Sequence, residues 1–330
     1  MRRVYFIFLF SILLGNGKYG DSFLNIGTSA RDIGLGQAIV ANIGNASGSN
    51  VTPASIANIN SRTIYFLILN QFGLAEYFSS GMVLPLKSNQ YASINITSLI
   101  IDDIKLRPDL VDVGSYEQRR DIVRELFAQG YDSFSNTESA ITVSFVKMFS
   151  GNMNMGFNFS NYDLPIGINS RLIKKNLHEQ EAYGIGFDIG GIFTTQLESF
   201  LGYSWAGKFA YGISLNNIFG THLIWSNKIK DVIPMQIVYG LSYEQPLDFI
   251  KSKILFLNQR NNIYPNDSQF GIELSIMENL FIRFGNQVGI NQGGLGFIKK
   301  INSSKKIRFD YSFGGYDLGD VHRLGFELQF

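Results

Sequence analysis

The sequence predicts an exported all-β protein whose strands close into one transmembrane antiparallel β-barrel of about fourteen strands. Three observations predict this fold. A short apolar run stands at the N-terminus, apolar and polar residues alternate along many later segments, and the apolar faces of those segments are large and aromatic. A lipid-facing barrel wall shows this alternation together with aromatic girdles.

The composition excludes several classes of protein. The 330 residues carry 28 Lys+Arg against 27 Asp+Glu, and Cys is absent. The balanced charge gives no electrostatic basis for binding nucleic acid, and a hydrophobic content of 45% is too high for a disordered chain. Without Cys there is no disulfide framework, no thiolate nucleophile and no Cys-ligated metal.

The N-terminal segment predicts export. Arg2 and Arg3 precede an apolar run from Val4 to Leu14, and small and polar residues follow it. This is the arrangement of a cleaved secretory signal peptide, which we assign to residues 1–17. The run is too short for a membrane-spanning helix, which needs about 20 residues. Residues 18–61 are poor in charge and rich in small residues, which fits a plug that fills the barrel or a flexible leader.

Alternation with period two defines the barrel, which we place at residues 62–330. A soluble β-sandwich also alternates. A barrel is favoured because lipid tolerates no unpaired sheet edge. The predicted strands are 62–71, 77–86, 90–100, 138–149, 152–161, 182–193, 208–216, 234–244, 253–259, 269–276, 280–287, 294–301, 306–313 and 321–330.

The predicted connections differ in length between the two ends of the barrel. Links at one end are tight, for example Ser150–Gly151, whereas 101–137, 162–181 and 217–233 at the other end are long. Short periplasmic turns opposite long outer loops are typical of outer-membrane barrels. The link 194–207 is long where this pattern requires a short one.

The loop 101–137 contains a predicted helix near 115–129. Ser115 and Gln118 have the spacing of a capping box, and apolar residues follow at helical spacing as far as Gly130. These apolar residues are Ile122, Val123, Leu126 and Phe127. The helix forms a lid or docking groove for a hydrophobic ligand or an exported protein, or it simply lies over the barrel rim.

Charged residues on the polar strand faces are predicted to point into the lumen. Mixed signs on neighbouring strands favour side chains that pair with one another, although lumen charges can also set solute selectivity. The predicted lumen charges are Asp188, Glu244, Glu273, Arg283, Arg308, Asp310, Arg323 and Glu327. The predicted C-terminal signal for the barrel-assembly machinery consists of Phe326, Leu328 and Phe330.

Two regions carry a family resemblance, namely Phe23–Ala38 with Thr52–Ala57, and the C-terminal hairpin from Asp310 to Phe330. A weaker match lies at Gly186–Gly190. These residues resemble the PorV/PorQ outer-membrane proteins, a group related to the FadL channels for hydrophobic compounds. The resemblance implies a FadL-like barrel of about fourteen strands with an N-terminal hatch. The hatch motif matches at Gly27, Ser29, Ala30, Arg31, Gly34, Gly36, Pro53 and Ala54.

Two departures from that family concern the hatch. The family usually has Asn-Pro-Ala-Gly-Leu where this chain has Thr52–Ile56, and it has acidic residues where this chain has Gly44 and Asn45. We therefore expect the hatch of this chain to differ from the family pattern.

Three functions remain open from the sequence. The resemblance implies a non-enzymatic accessory of type IX secretion, which binds exported proteins at its outer loops for secretion or surface attachment. The alternatives are a passive FadL-like channel for hydrophobic small molecules and a soluble secreted all-β binding module. The expected location of the two barrel forms is the bacterial outer membrane, and the expected partners are its lipid and the barrel-assembly machinery.

An enzyme is not expected. His178, His222 and His322 are scattered over separate loops and strands, so neither a metal triad nor a Ser-His-Asp arrangement can be proposed. No cofactor is expected either.

Overall fold

The computed structural model describes residues 22–106, 109–110, 112–155, 158–203, 205–263, 266–302, 304–317 and 319–330. The predicted signal peptide lies outside these residues. The strands are β1 (Thr63–Gln71), β2 (Ala75–Pro85), β3 (Gln90–Lys105), β4 (Ser133–Met155), β5 (Asn158–Leu177), β6 (Gln180–Gln196), β7 (Lys208–Asn216), β8 (Thr221–Trp225), β9 (Lys230–Ile233), β10 (Gln236–Leu247), β11 (Ser252–Asn261), β12 (Ser268–Ile276), β13 (Leu280–Gln287), β14 (Ile290–Lys300), β15 (Lys306–Tyr316) and β16 (Gly319–Gln329). The helices are α1 (Ala30–Gly34), α2 (Tyr116–Gln129) and α3 (Glu198–Leu201).

The strands form one antiparallel sheet that closes on itself. β1 pairs with β2 on one side and with β16 on the other, so the first and last strands meet. β5 pairs with both β4 and β6, which completes the ring. β8 and β9 form a hairpin that pairs only with the start of β6 and is not part of the ring. The other fourteen strands form the ring. The predicted all-β, closed antiparallel barrel is therefore confirmed.

Two predicted details of this wall are wrong. The predicted turn at Ser150–Gly151 lies inside β4, which continues to Met155. The predicted long loop 162–181 is mostly β5, whose connection to β6 is a tight turn at 178–179. The alternation was hidden because the inward positions of this segment include Gly167 and the buried Arg171, and Pro165 interrupts the pattern.

The outer face of the ring is apolar and exposed. Large side chains point away from the barrel all around it, for example Ile68, which is 67% exposed, and Leu324, which is 68% exposed. A continuous apolar surface of this extent far exceeds the patches of a few hundred Å² found on soluble monomers. Such a surface is unfavourable in water but not in contact with lipid tails. This argues against the alternative of a soluble secreted binding module. Among the described residues, no helix has the length and hydropathy needed to cross a bilayer.

The two ends of the barrel are distinct. At the terminal end, β1 begins and the backbone N–H of Phe330 donates to Arg62 O at 2.9 Å. At the opposite loop end lie the β8–β9 hairpin and the β3–β4 connection that contains α2. α2 begins with a capping box, in which Gln118 N donates to Ser115 Oγ at 3.2 Å and Ser115 N donates to Gln118 Oε1 at 3.1 Å. The sequence placed a helix at this point.

Residues 22–62, which we call the plug, occupy the interior of the ring. α1 contacts β13 to β16 on one side, and a short 3-10 turn at Pro53–Ile56 contacts β3 to β6 on the other. A segment that touches opposite walls lies inside the lumen. Residues 22–62 therefore lie within the ring, and a role of this segment as a plug or hatch stays a prediction.

Candidate functional site

Glycines on the inner wall let the plug backbone lie directly against the strands. A Cβ at Gly285 would lie 2.1 Å from Gly36 N. At Gly212 it would lie 2.2 Å from Val40 O, and at Gly271 it would lie 2.4 Å from Leu35 O. The obstructing atoms belong to the backbone, which cannot rotate away. The 34 glycines of this chain are thus partly explained by the fit between wall and plug.

The hatch residues of α1 determine how this helix is seated. Ser29 is its N-cap, with the side-chain oxygen accepting from Asp32 N at 3.1 Å. Gly27 precedes it with φ +101°, a conformation that favours glycine. Ala30 is fully buried against the wall at Gly325. Each feature brings α1 close to β14, β15 and β16.

The other hatch residues also contact the wall. A Cβ at Gly34 would lie 3.5 Å from the Cβ of Ser312 on β15. Gly36 has φ +61° and faces wall backbone. Pro53 lies against Gly167 and Gly190, and Ala54 is fully buried. The role of these residues as a movable hatch stays a prediction.

Asp32 ties the two halves of the plug together. It is 1% exposed, and its carboxylate accepts from Asn45 Nδ2 at 2.7 Å and from Ser47 Oγ at 2.5 Å. Charge-assisted hydrogen bonds of this kind are stronger than neutral ones. An acidic residue at position 45, as in the PorV/PorQ pattern, would place a second carboxylate against the first.

We expect Asn45→Asp to destabilise the folded plug by about 2 to 4 kcal/mol, because it replaces a donor by a like charge. The thermal unfolding temperature of the purified barrel at neutral pH measures this. Asn42→Asp is the control, since it adds the same charge to the plug but faces a chamber rich in Lys and Arg. Equal unfolding temperatures for the two variants would contradict the assignment.

A buried ion-pair network anchors the plug to the wall. The Arg31 guanidinium donates to Glu273 on β12 through Nη2 at 2.8 Å and through Nε at 3.0 Å. Glu273 also accepts from Arg283 Nε at 2.6 Å. Asp310 pairs with Arg283 Nη1 and with Arg308 Nε, both at 2.8 Å. Five charges from the plug and from the strands β12, β13 and β15 are thus paired inside the lumen.

The remaining predicted lumen charges have other partners. Asp188 pairs with Arg171 at 2.8 Å. Arg171 is not among the predicted lumen charges, because it lies in the predicted loop 162–181. Arg323 Nη2 donates to the Tyr316 hydroxyl at 2.6 Å. In two further pairs, Lys253 lies 2.7 Å from Glu244, and Gln329 donates to Glu327 at 2.8 Å. All eight predicted residues therefore have a polar partner, and any role in selectivity remains a prediction.

The loop-end half of the lumen is filled mainly by apolar side chains, together with a buried ion pair between Lys175 and Glu138 at 3.2 Å. Phe23, Ala30 and Ile33 of the plug, each fully buried, meet apolar side chains from the wall and from the β8–β9 hairpin. These wall residues are Leu67, Leu69, Tyr77, Leu99, Ala140, Ile173, Ala182, Leu223, Ile233 and Val321. We call this group the apolar cluster.

The terminal-end half of the lumen is hollow along β7 and β10 to β15, whereas along β1 to β4 it is filled by a second apolar group that includes Ile56, Tyr65 and Val146. A chamber of about 970 Å³ lies beneath the plug and opens between the turns that carry Lys251 and Glu278. The charged chamber therefore occupies one side of the terminal end, beside an apolar filled region. Within the described parts of the chain, no group of three or more His, Cys, Asp or Glu is arranged to hold a metal.

The outer-loop helix and the chain end are the last predicted sites. α2 buries none of its residues, Phe127 is 79% exposed, and Ile122, Val123 and Leu126 are exposed or half-buried. Phe326 packs edge-on against Phe309 at 5.3 Å between ring centroids. The signal for barrel assembly remains a prediction.

No protein-family profile matches the chain, and no curated protein matches it. Solved structures with a similar fold include the TodX deltaS2S3 mutant monoaromatic hydrocarbon channel, at 10% identity, with 88% of this chain and 97% of that chain covered and a TM-score of 0.43. The CymD monoaromatic hydrocarbon channel gives 11% identity, 92% and 97% coverage and a TM-score of 0.42. The translocator domain of the autotransporter NalP from Neisseria meningitidis gives 10% identity, 82% and 86% coverage and a TM-score of 0.26.

Proposed function

We propose that this chain is a non-enzymatic transport protein of the bacterial outer membrane, which admits small hydrophobic molecules when its plug moves. The apolar cluster carries this proposal. A passive pore for hydrophilic solutes keeps a polar, water-filled lumen. Here most of the side chains that meet the plug at the loop end are apolar, and Phe23 and Ile33 of the plug are apolar themselves. A solute that replaces them must be apolar too.

The plug must also be able to leave this position. Its polar contacts with the wall lie on both sides of the ring. Arg31 to Glu273 and the Val40 N–H to Gln259 Oε1 at 2.8 Å hold one side, and Asn169 Nδ2 donates to Ser49 O at 2.8 Å on the other. Hydrogen bonds can be exchanged for water when a segment moves, whereas a covalent or fully apolar seal offers no such replacement. A closed resting state with a movable plug is consistent with these contacts.

Uptake into vesicles tests the proposal. We expect lipid vesicles containing the purified barrel to take up an apolar fluorescent tracer faster than empty vesicles, and to exclude a charged dye of similar size. Equal uptake of the two tracers, or no uptake above that of empty vesicles, would contradict it. Heat-modifiable mobility on gels confirms that the barrel is folded in each preparation.

Leu223→Asn should lower uptake of the apolar tracer roughly tenfold, because an amide in the apolar cluster must be desolvated by the passing solute. Leu223 is 1% exposed on β8. The matched control is Ile224→Asn, since Ile224 is the next residue on the same strand, faces away from the cluster and is 54% exposed. Equal rates for the two variants would place the solute path elsewhere.

A second candidate function is the PorV/PorQ-type accessory that binds exported proteins. The specific observation in its favour is α2, which presents Tyr116, 77% exposed, and Phe127 at the loop end without burying any residue. Capture of secreted cargo by the purified barrel tests it, with Phe127→Ser as the variant that should lose capture. Failure of capture together with apolar tracer uptake would leave the channel as the function.

A further inference from the structure

The chamber at the terminal end has an excess of positive charge. Its lining contains seven cationic and four anionic side chains. The cations are Arg31, Lys208, Lys251, Lys253, Lys300, Lys306 and Arg308, and the anions are Glu244, Asp248, Glu273 and Glu278. A concave site lined mainly by one sign of charge concentrates ions of the opposite sign.

Most of the anions are already occupied by cations of the same lining. Glu273 lies 2.8 Å from Arg31 and 3.6 Å from Arg308. Glu244 lies 2.7 Å from Lys253, and Glu278 lies 3.7 Å from Lys300. Asp248 is the remaining anion. Lys208, Lys251 and Lys306 line the chamber and form no ion pair within the described residues.

The innermost wall of the chamber also has unused hydrogen-bonding capacity. Arg308 is 9% exposed and its Nη2 has no hydrogen-bond partner, since the Glu273 oxygen at 3.6 Å is too far away. Behind it, Nη2 of the fully buried Arg283 side chain lacks one as well, while its Nη1 pairs with Asp310 at 2.8 Å. The guanidinium groups of Arg31, Arg283 and Arg308 share two carboxylates, those of Glu273 and Asp310.

The nearby carboxylate of the plug does not supply the missing charge. Asp32 follows Arg31 on α1, but its two oxygens are taken by Asn45 and Ser47. A buried, unsatisfied donor on a charged group is costly. An incoming anion is the simplest partner for it.

We infer that this chamber is a binding site for a small multivalent oxyanion, of the chemical class of pyrophosphate or citrate. A guanidinium matches the paired oxygens of carboxylates and phosphates, so Arg308 would receive the anion deep in the chamber. Lys208, Lys251 and Lys306 supply the charge around it. A volume of about 970 Å³ accommodates such a ligand with room for bridging water. The site goes beyond solute passage, because it lies beneath the plug in its seated position.

Calorimetric titration of the folded barrel in detergent tests the inference. We expect saturable binding of pyrophosphate or citrate at low ionic strength, which weakens as sodium chloride is added. The Lys208→Gln/Lys306→Gln double variant should bind roughly tenfold more weakly, since it removes two unpaired charges from the chamber and no buried contact. The matched control is Lys230→Gln/Lys299→Gln, which removes two exposed lysines that do not line the chamber.

Two results would overturn the inference. One is the absence of saturable binding of either anion, and the other is equal affinity in the two double variants. The Gly34→Cys/Ser312→Cys variant, oxidised so that α1 is tethered to β15, separates this inference from the proposed function. It should bind the anion as the unsubstituted barrel does while its solute uptake is lost. If the unsubstituted barrel takes up solute but binds no anion, the anion site is wrong and the proposed transport function stands.

Discussion

Replacing Gly285 by Leu is expected to unseat the plug and turn a closed barrel into a conducting one. A Cβ at this position would lie 2.1 Å from Gly36 N and 2.4 Å from the carbonyl carbon of Leu35. Real Cβ atoms essentially never come closer than 3.0 Å to another heavy atom, so one of the two backbones must shift. The wall strand is fixed on both sides by β12 and β14. The plug, which forms no ladder with the wall, is the part that moves.

The expected size of this effect follows from the packing. Even one or two added methylenes in a well-packed interior cost about 1 to 3 kcal/mol when side chains can adjust. Here the obstruction is backbone, and Leu adds four carbons. Moving the plug also exposes the apolar cluster and breaks the contact between Arg31 and Glu273. We therefore expect most molecules of the variant to hold an open lumen.

Conductance in planar bilayers measures the opening, and limited proteolysis of residues 22–62 measures exposure of the plug. Gly191→Leu is the matched control, because it lies on a wall strand where the nearest atom to a Cβ is 3.5 Å away. Heat-modifiable mobility shows whether the Gly285→Leu variant folds. If it does not fold, Gly285→Ala is the milder second variant. A folded Gly285 variant that conducts no more than Gly191→Leu would contradict the close fit.

The wall of the barrel could be predicted from the sequence because the alternation within each strand identifies its apolar and polar faces. Alternation with period two is local, so 269–276 or 306–313 can be assigned without knowing any neighbour. The prediction failed at 152–181, where a glycine and a buried arginine occupy the inward positions. That failure also hid Arg171, the partner of Asp188.

The plug could not be predicted to the same depth, because its contacts are long-range. Arg31 and Glu273 are 242 residues apart, and nothing in either local sequence indicates the pair. The role of the wall glycines also depends on long-range contacts. Gly285 is conspicuous only when Gly36 is placed beside it, since the sequence shows a glycine in a strand and no reason for it. The mixed charges on neighbouring strands predicted that these side chains pair with one another. They did not predict that Arg31 of the plug joins the same ion-pair network.

Tethering α1 to the wall is expected to abolish uptake of apolar solutes, with recovery after reduction. The Cβ atoms of a Gly34→Cys/Ser312→Cys pair would start 3.5 Å apart, at the short end of the range for disulfides. The chain contains no Cys, so the introduced pair has no competing partner. We expect at least a tenfold fall in tracer uptake under oxidising conditions, because the plug can no longer leave the apolar cluster.

The control for this tether is a disulfide that joins two parts of the wall. Ser98 and Ser139 face each other on β3 and β4 with their hydroxyl oxygens 2.9 Å apart, so Ser98→Cys/Ser139→Cys links strands that are already paired. Its uptake should be unchanged by oxidation. If the tethered plug leaves uptake unchanged as well, solute does not pass through the lumen. The barrel would then act with its plug in place, and the exposed surface of α2 would become the part of the molecule that explains its function.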